Sequence, residues 1–232
     1  MKLIYSYLED FLSLFFPQLC AACGKNLFKS EETICTSCIY HLPYTNFHLD
    51  KDNRVARQLY GRVPFCSASS FLYFKKGSTV QNLMHQLKYN HKPEVGIKLG
   101  EMYGYKLKDS EAFKEVSLII PAPLHPSRLR KRGYNQSEFF ARGLSEKLGV
   151  PYNTDILSRL ISTETQTQKS RFSRYENMKD VFQVKKGSLI SGDHILLVDD
   201  VLTTGATLEA CALQLLKEPD VKISFATIAF AE

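Results

Sequence analysis

Apolar side chains recur along this chain with two periods, and their alternation predicts the architecture. Val80, Leu83, Met84 and Leu87 fall at i, i+3, i+4 and i+7, one face of a helix. That helix is expected to break near Asn90–Pro93, and a second helix follows over 94–108. Another is expected over 135–148, opened by Asn135 and Glu138 in a capping arrangement. CSASSFLYF (66–74) reads as a strand, and VSLIIPAP (116–123) as a short, doubly buried strand running into a proline-rich turn. ILLV (195–198) is a second doubly buried strand, leading directly into a helix at 205–217, and KISFATIAF (222–230) closes the sheet. Strands apolar on both faces and alternating with helices predict an α/β fold, a parallel sheet covered on both sides.

The flanking segments read differently. In MKLIYSYLEDFLSLFF, residues Leu3, Tyr7, Phe11, Leu14 and Phe15 share one helical face, which predicts an amphipathic lead helix packed on the protein. Glu9 and Asp10 interrupt the apolar run, no small-residue cleavage site follows, and the run is too short for a membrane span. No other segment is apolar for long enough to cross a bilayer, so a cytoplasmic protein is expected. Residues 44–64 carry several charges and few periodic apolar positions, which suggests a linker. The expected organisation is a lead helix and cysteine module over 1–43, the linker over 44–64, and the α/β domain over 65–232.

Composition narrows the class. With 232 residues, 44% apolar and 23% charged, the chain has room for one α/β domain and a small appendage, and it is neither disordered nor of low complexity. A net charge of +6 favours an anionic partner, nucleic acid or a phosphorylated small molecule, although mildly basic proteins are common without one.

Four of the six cysteines form Cys20-x-x-Cys23 and Cys35-x-x-Cys38. Two such turns close a tetrahedral thiolate site of the kind that holds structural zinc. The stretch between them offers only Leu27, Phe28 and Ile34 as sizeable apolar residues, too few to fold alone, so a metal would supply the missing free energy. Two disulfides or an iron–sulfur cluster are the alternatives, and a reducing cytosol disfavours the first. Cys66 and Cys211 are expected as buried core cysteines. His41 and His48 lie nearby but are not counted as ligands, since four thiolates already complete a tetrahedron.

The most informative segment is ILLVDDVLTTGAT (195–207). In an open α/β sheet, ligands bind just beyond the carboxyl ends of the strands. There this chain places Asp199 and Asp200, then Thr203, Thr204, Gly205, Ala206 and Thr207 at the start of a helix. The small-residue loop offers hydroxyls and free N–H groups at a helix N-terminus, suited to phosphate, and Gly205 permits close approach. Two carboxylates suit sugar hydroxyls or magnesium instead. Ribose hydroxyls beside a phosphate pocket satisfy both halves. A plain capped helix after a strand is the bland alternative.

Two basic segments accompany it. Arg128, Arg130, Lys131 and Arg132 follow the strand at 116–123, where Pro121–Arg132 is expected as an anion-binding loop, or else as a solvated charge run. Residues 162–182 hold many hydroxyls and amides with Lys169, Arg171, Arg174 and Lys179, which suggests a mobile loop able to fold over an anion, or an ordinary exposed connection. Lys88 and Tyr89 add a cation and an aromatic at a helix end.

The 195–207 run resembles the phosphoribosyltransferase signature throughout. The cysteine module, LKYNHKPEVG, PAPLHPSRLRKRGYNQ, the TQTQKSR region and VDDVLTTGAT together are similar to the ComF family of competence proteins. The resemblance covers nearly the whole chain. It implies a type I phosphoribosyltransferase-like domain in which Asp199 and Asp200 hold the ribose hydroxyls and Thr203–Thr207 the 5′-phosphate. It further implies phosphoribosyl pyrophosphate or a nucleotide as ligand, with magnesium, and Arg128 and Arg132 as catalytic groups on the leaving pyrophosphate. The family is linked to uptake and processing of single-stranded DNA in natural transformation, so DNA and other competence proteins, a helicase or a DNA-processing protein, are the implied partners. A stand-alone phosphoribosyltransferase and a ligand-sensing regulator remain the alternatives.

Overall fold

The computed structural model describes residues 16–160, 181–188 and 192–231. Four strands build the main sheet. They are β1 (Ser67–Phe74), β2 (Leu118–Pro121), β5 (His194–Leu202) and β6 (Lys222–Ala231), in the order β1-β6-β5-β2 with every pair parallel. Two three-residue strands, β3 (Leu157–Arg159) and β4 (Phe182–Val184), form a separate antiparallel ribbon. The helices are α1 (Thr36–Tyr40), α2 (Arg54–Leu59), α3 (Thr79–Tyr89), α4 (Glu94–Lys108), α5 (Pro126–Arg132), α6 (Gln136–Leu148) and α7 (Ala206–Leu215). No described helix is long and apolar enough to cross a membrane.

The period-two alternation of β5 sorts its side chains into two cores. Leu196 and Val198 pack with α3, α4 and α6, and with Cys20, Ala22 and Ile34 of the cysteine module. Ile195 and Leu197 pack with Val55 and Leu59 of α2 and Leu208 and Cys211 of α7. The sheet is therefore covered on both faces, as its doubly apolar strands require. Helices α4 and α6 cross at glycines. A Cβ on Gly100 would lie 2.4 Å from the Phe140 carbonyl oxygen, and one on Gly143 would lie 2.1 Å from that of Ile97. Only a backbone without side chains allows that approach.

Helices α3 and α4 and strands β1 and β6 lie where the periodicity placed them. Several expectations need correction. Residues 44–64 are not a plain linker: Val55, Ala56 and Leu59 are completely buried. Asn53 caps α2 through Oδ1 and donates to the carbonyls of Phe47, Asp50 and Ala68. Pro121–Arg132 is only briefly a loop, because Pro126 sits at the first turn of α5 and Gly133, at φ +80°, ends it. Strand β5 extends beyond Val198 to Leu202, held by β6 alone, since its pairing to β2 stops at Val198. Cys66 is exposed, one residue before β1, whereas Cys211 is buried as expected. The lead helix, and the loop cations Lys169, Arg171, Arg174 and Lys179, lie outside the described residues.

Candidate functional site

A cavity of about 490 Å³ opens on the carboxyl-end side of the main sheet: Phe74 of β1, Ala122 after β2, Asp199 and Asp200 in the last part of β5, and Ala231 of β6 all line it. This is where an open parallel sheet offers ligands its unpaired strand ends. The same cavity gathers Arg128, Arg132, Thr203 and Thr207. Thr204, Gly205 and Ala206 line a small concavity of about 30 Å³ that shares Asp199, Thr203 and Thr207 with it. All nine predicted catalytic and ligand-binding residues thus converge on one region.

The carboxylates are held differently. Asp199 Oδ1 accepts a hydrogen bond from Ser137 Oγ at 2.9 Å and another from the Asp200 amide at 2.8 Å. Ser137 is buried in the first turn of α6, whose cap Asn135 donates to the Ala122 carbonyl at 3.0 Å, so the turn after β2 and the start of α6 are fixed together. Burial pushes the Asp199 carboxyl up to about 7, and the neighbouring Asp200 charge adds to it. Asp200 instead pairs with Lys88 Nζ at 2.9 Å. The two adjacent acids therefore differ in surroundings and in partner.

The cations also divide. Arg132 Nη1 donates to Gln136 Oε1 at 2.8 Å, and its guanidinium lies 5.4 Å from the Tyr89 ring centroid. Arg159, at the end of β3, was not singled out by sequence reasoning because it precedes the basic run and belongs to no periodic element. It lines the cavity, lies over the Phe182 ring and has a buried Nε with no hydrogen-bond partner among the described residues. Burial disfavours its charge; the nearby Arg128 disfavours it further and Asp199 favours it. Phe74, Met84, His85 and Tyr89 give the cavity an apolar and aromatic wall on the α3 side. In the sequence, the helical spacing of α3 and the Lys88–Tyr89 pair at its end hint at that wall.

The four N-terminal cysteines form the second site. Their sulfurs all lie within 4.8 Å of one another, and Cys23 Sγ and Cys35 Sγ are 3.9 Å apart. Four sulfurs each about 2.3 Å from one tetrahedral ion would be about 3.8 Å apart, so the donor set fits a metal and is too open for a disulfide. Backbone N–H groups of Cys35 and Cys38 donate to Cys20 Sγ and Cys35 Sγ, as thiolate ligands favour. Asn82 of α3 donates to the Ala22 carbonyl at 2.9 Å, locking the first Cys-x-x-Cys turn to the main domain.

Residues 135–232 match the phosphoribosyl transferase domain family. The chain is 28% identical over 202 residues to the DNA utilization protein YhgH of Shigella flexneri, covering 86% of this chain and 84% of that protein. It is 28% identical over 205 residues to Competence protein F of Haemophilus influenzae, covering 84% and 89%. It is 35% identical over 101 residues to Competence protein ComFC of Bacillus subtilis, covering 44% and 39%. With a parallel sheet in which β5 carries the acid pair and leads into the small-residue loop, and with these relatives along most of its length, the chain carries a phosphoribosyl transferase domain over 135–232 and is similar to the ComF-type competence proteins.

Proposed function

We propose that this chain binds phosphoribosyl pyrophosphate or a related phosphoribosyl ligand and serves in the uptake and processing of single-stranded DNA during natural transformation. The observation that carries the ligand reading is the cavity in which Asp199 and Asp200 meet Thr203, Thr207 and the cations Arg128 and Arg132, with the rest of the loop lining the adjoining small concavity. Ribose hydroxyls donate to the carboxylates, the loop amides and hydroxyls donate to the 5′-phosphate, and the arginines face a diphosphate. Magnesium, when present on the diphosphate, neutralises charge that the two carboxylates would otherwise repel. Zinc is the metal that four thiolates at this spacing favour, and its role here is structural. The relatives' names, competence and DNA utilization, support the DNA role, as does the net charge of +6.

A pyrophosphate-displacing enzyme is the second reading, favoured by Arg128, which faces the cavity. In that reaction the bond from the anomeric carbon to pyrophosphate breaks as the acceptor bonds to that carbon, and Arg128 and Arg132 stabilise the departing charge.

Parallel titrations decide between these readings. Phosphoribosyl pyrophosphate with magnesium is expected to bind the full chain by calorimetry, and Asp200→Asn to weaken it. Single-stranded DNA, followed by anisotropy, is expected to bind at low salt and to weaken steeply as salt rises, because each phosphate contact releases a counterion. Mutual displacement of DNA and phosphoribosyl pyrophosphate means shared arginines. No binding of phosphoribosyl pyrophosphate overturns the ligand reading. No DNA binding at low salt removes direct DNA contact and leaves the small-molecule function.

A further inference from the structure

Helix α2 and the residues just after it reach across to the loop that follows β5. Gln58 Nε2 donates to the Thr203 carbonyl, and Arg62 Nη1 donates to the Thr204 carbonyl at 2.5 Å. The same guanidinium pairs with Glu209 in the first turn of α7, its Nε donating to Oε2 at 3.0 Å. Gly205 is wedged against this pair. It has φ +75°, and a Cβ there would lie 3.0 Å from Leu59 Cδ2 and 3.2 Å from Arg62 Nη1.

These contacts fix the direction of the loop's donors. In a trans peptide the carbonyl and the N–H of one plane point opposite ways, and no described peptide bond is cis. Drawing the Thr203 and Thr204 carbonyls toward α2 therefore turns the N–H groups of Thr204 and Gly205 away from it. Among the described residues neither amide donates a hydrogen bond to the protein. Both residues border the concavity of about 30 Å³, room for about one water-sized group. Convergent backbone N–H groups in such a hollow favour an anionic oxygen.

We propose that Gln58 and Arg62 are positioning residues that aim the amides of Thr204 and Gly205 at a phosphate monoester. This rests on the phosphoribosyl reading of the site and specifies what holds its 5′-phosphate end in shape. Neither side chain touches the ligand; each acts through a carbonyl. Because Glu209 balances the Arg62 charge, the effect is one of orientation and not of long-range attraction. The planar fork of arginine reaches Thr204 and Glu209 together, which a lysine ammonium does not.

The test uses ribose 5-phosphate, titrated by calorimetry into the wild type, Gln58→Ala, Arg62→Ala, Arg62→Lys and Glu209→Gln. Melting temperatures and the amide signals of Thr204 and Gly205 are followed alongside. Gln58→Ala and Arg62→Ala are expected to weaken binding by about tenfold or more, the effect of misdirecting a hydrogen bond to a charged group. Arg62→Lys should not restore it. Glu209→Gln loses the ion pair but keeps the Arg62 bond to Thr204, and should stay within about threefold of wild type on the same reasoning. In the wild type both amide signals should shift on ligand addition. If Arg62→Ala fails to fold, Gln58→Ala carries the test, since it removes one half-exposed side chain with one loop contact. Wild-type affinity in folded Gln58→Ala and Arg62→Ala overturns the clamp and leaves the site standing. No binding of ribose 5-phosphate by the wild type overturns the phosphoribosyl reading and the clamp with it.

Discussion

Asp199 accepts two hydrogen bonds in a place that disfavours its charge, with a second carboxylate next in the chain. Its folded value near 7 lies well above that of an exposed aspartate, so the folded state holds a proton that the unfolded chain has already released. The stability this gives is fully present below the unfolded value and is lost as pH rises through about 7. Asn in its place can still accept from Ser137 and the Asp200 amide without carrying charge. Asp199→Asn is therefore expected to be more stable than wild type at pH 8.5, with the advantage shrinking or reversing at pH 5, by urea denaturation at both pH values. A constant difference would mean that Asp199 is already ionised throughout. Ligand affinity should move the other way: if ribose hydroxyls donate to this carboxylate, wild-type binding strengthens from pH 6 to pH 8, and that of the Asn variant does not.

Helices α4 and α6 illustrate what periodicity reads and what it misses. Both spans were legible, because the break near Asn90–Pro93 separates α4 from α3 and Asn135 with Glu138 marks the start of α6. Gly96, Gly100 and Gly104 recur at fourfold spacing on α4, and nothing in one helix alone says that Gly143 of the other lies against Gly100. Gly143→Ala is expected to destabilise the fold by about 1–3 kcal/mol, the usual range for overpacking, although alanine is the better helix former. A denaturation midpoint at or above wild type would mean that the helices part without cost. The acid pair and threonine loop were likewise legible from their order along the chain, whereas Gln58, Arg62 and Arg159 were not. The first two bind carbonyls more than a hundred positions away, and the third stands on a strand of three residues, too short to show a period. Residues 44–64 do not show their packing in the sequence, because α2 has only six residues and its cap, Asn53, also ties the segment down through its Nδ2 to the carbonyls of Phe47, Asp50 and Ala68, contacts that no periodicity records.

Tertiary packing makes the cysteine module less separable than its composition suggests. Cys20, Ala21, Ala22, Ile34 and Leu42 are buried in the same core as Val80, Leu83 and Leu87 of α3, the helix that carries Lys88 to Asp200. One zinc per chain is expected by elemental analysis of reduced protein, and Cys35→Ser should release it. Because the core is shared, the melting temperature of the whole domain should then fall, not merely that of the module; a metal-free variant that melts like wild type would show the module to be a passenger. The strand order has a consequence for how the chain is made. Strand β6, the last described element to be synthesised, fills the gap between β1 and β5 at the middle of the sheet. Until residues 222–231 emerge from the ribosome, β1 and β5 each present an open hydrogen-bonding edge beside a buried apolar face. The nascent chain is therefore at its most adhesive in the interval before β6 arrives, and a chaperone that covers sheet edges would be needed at that moment and not after it.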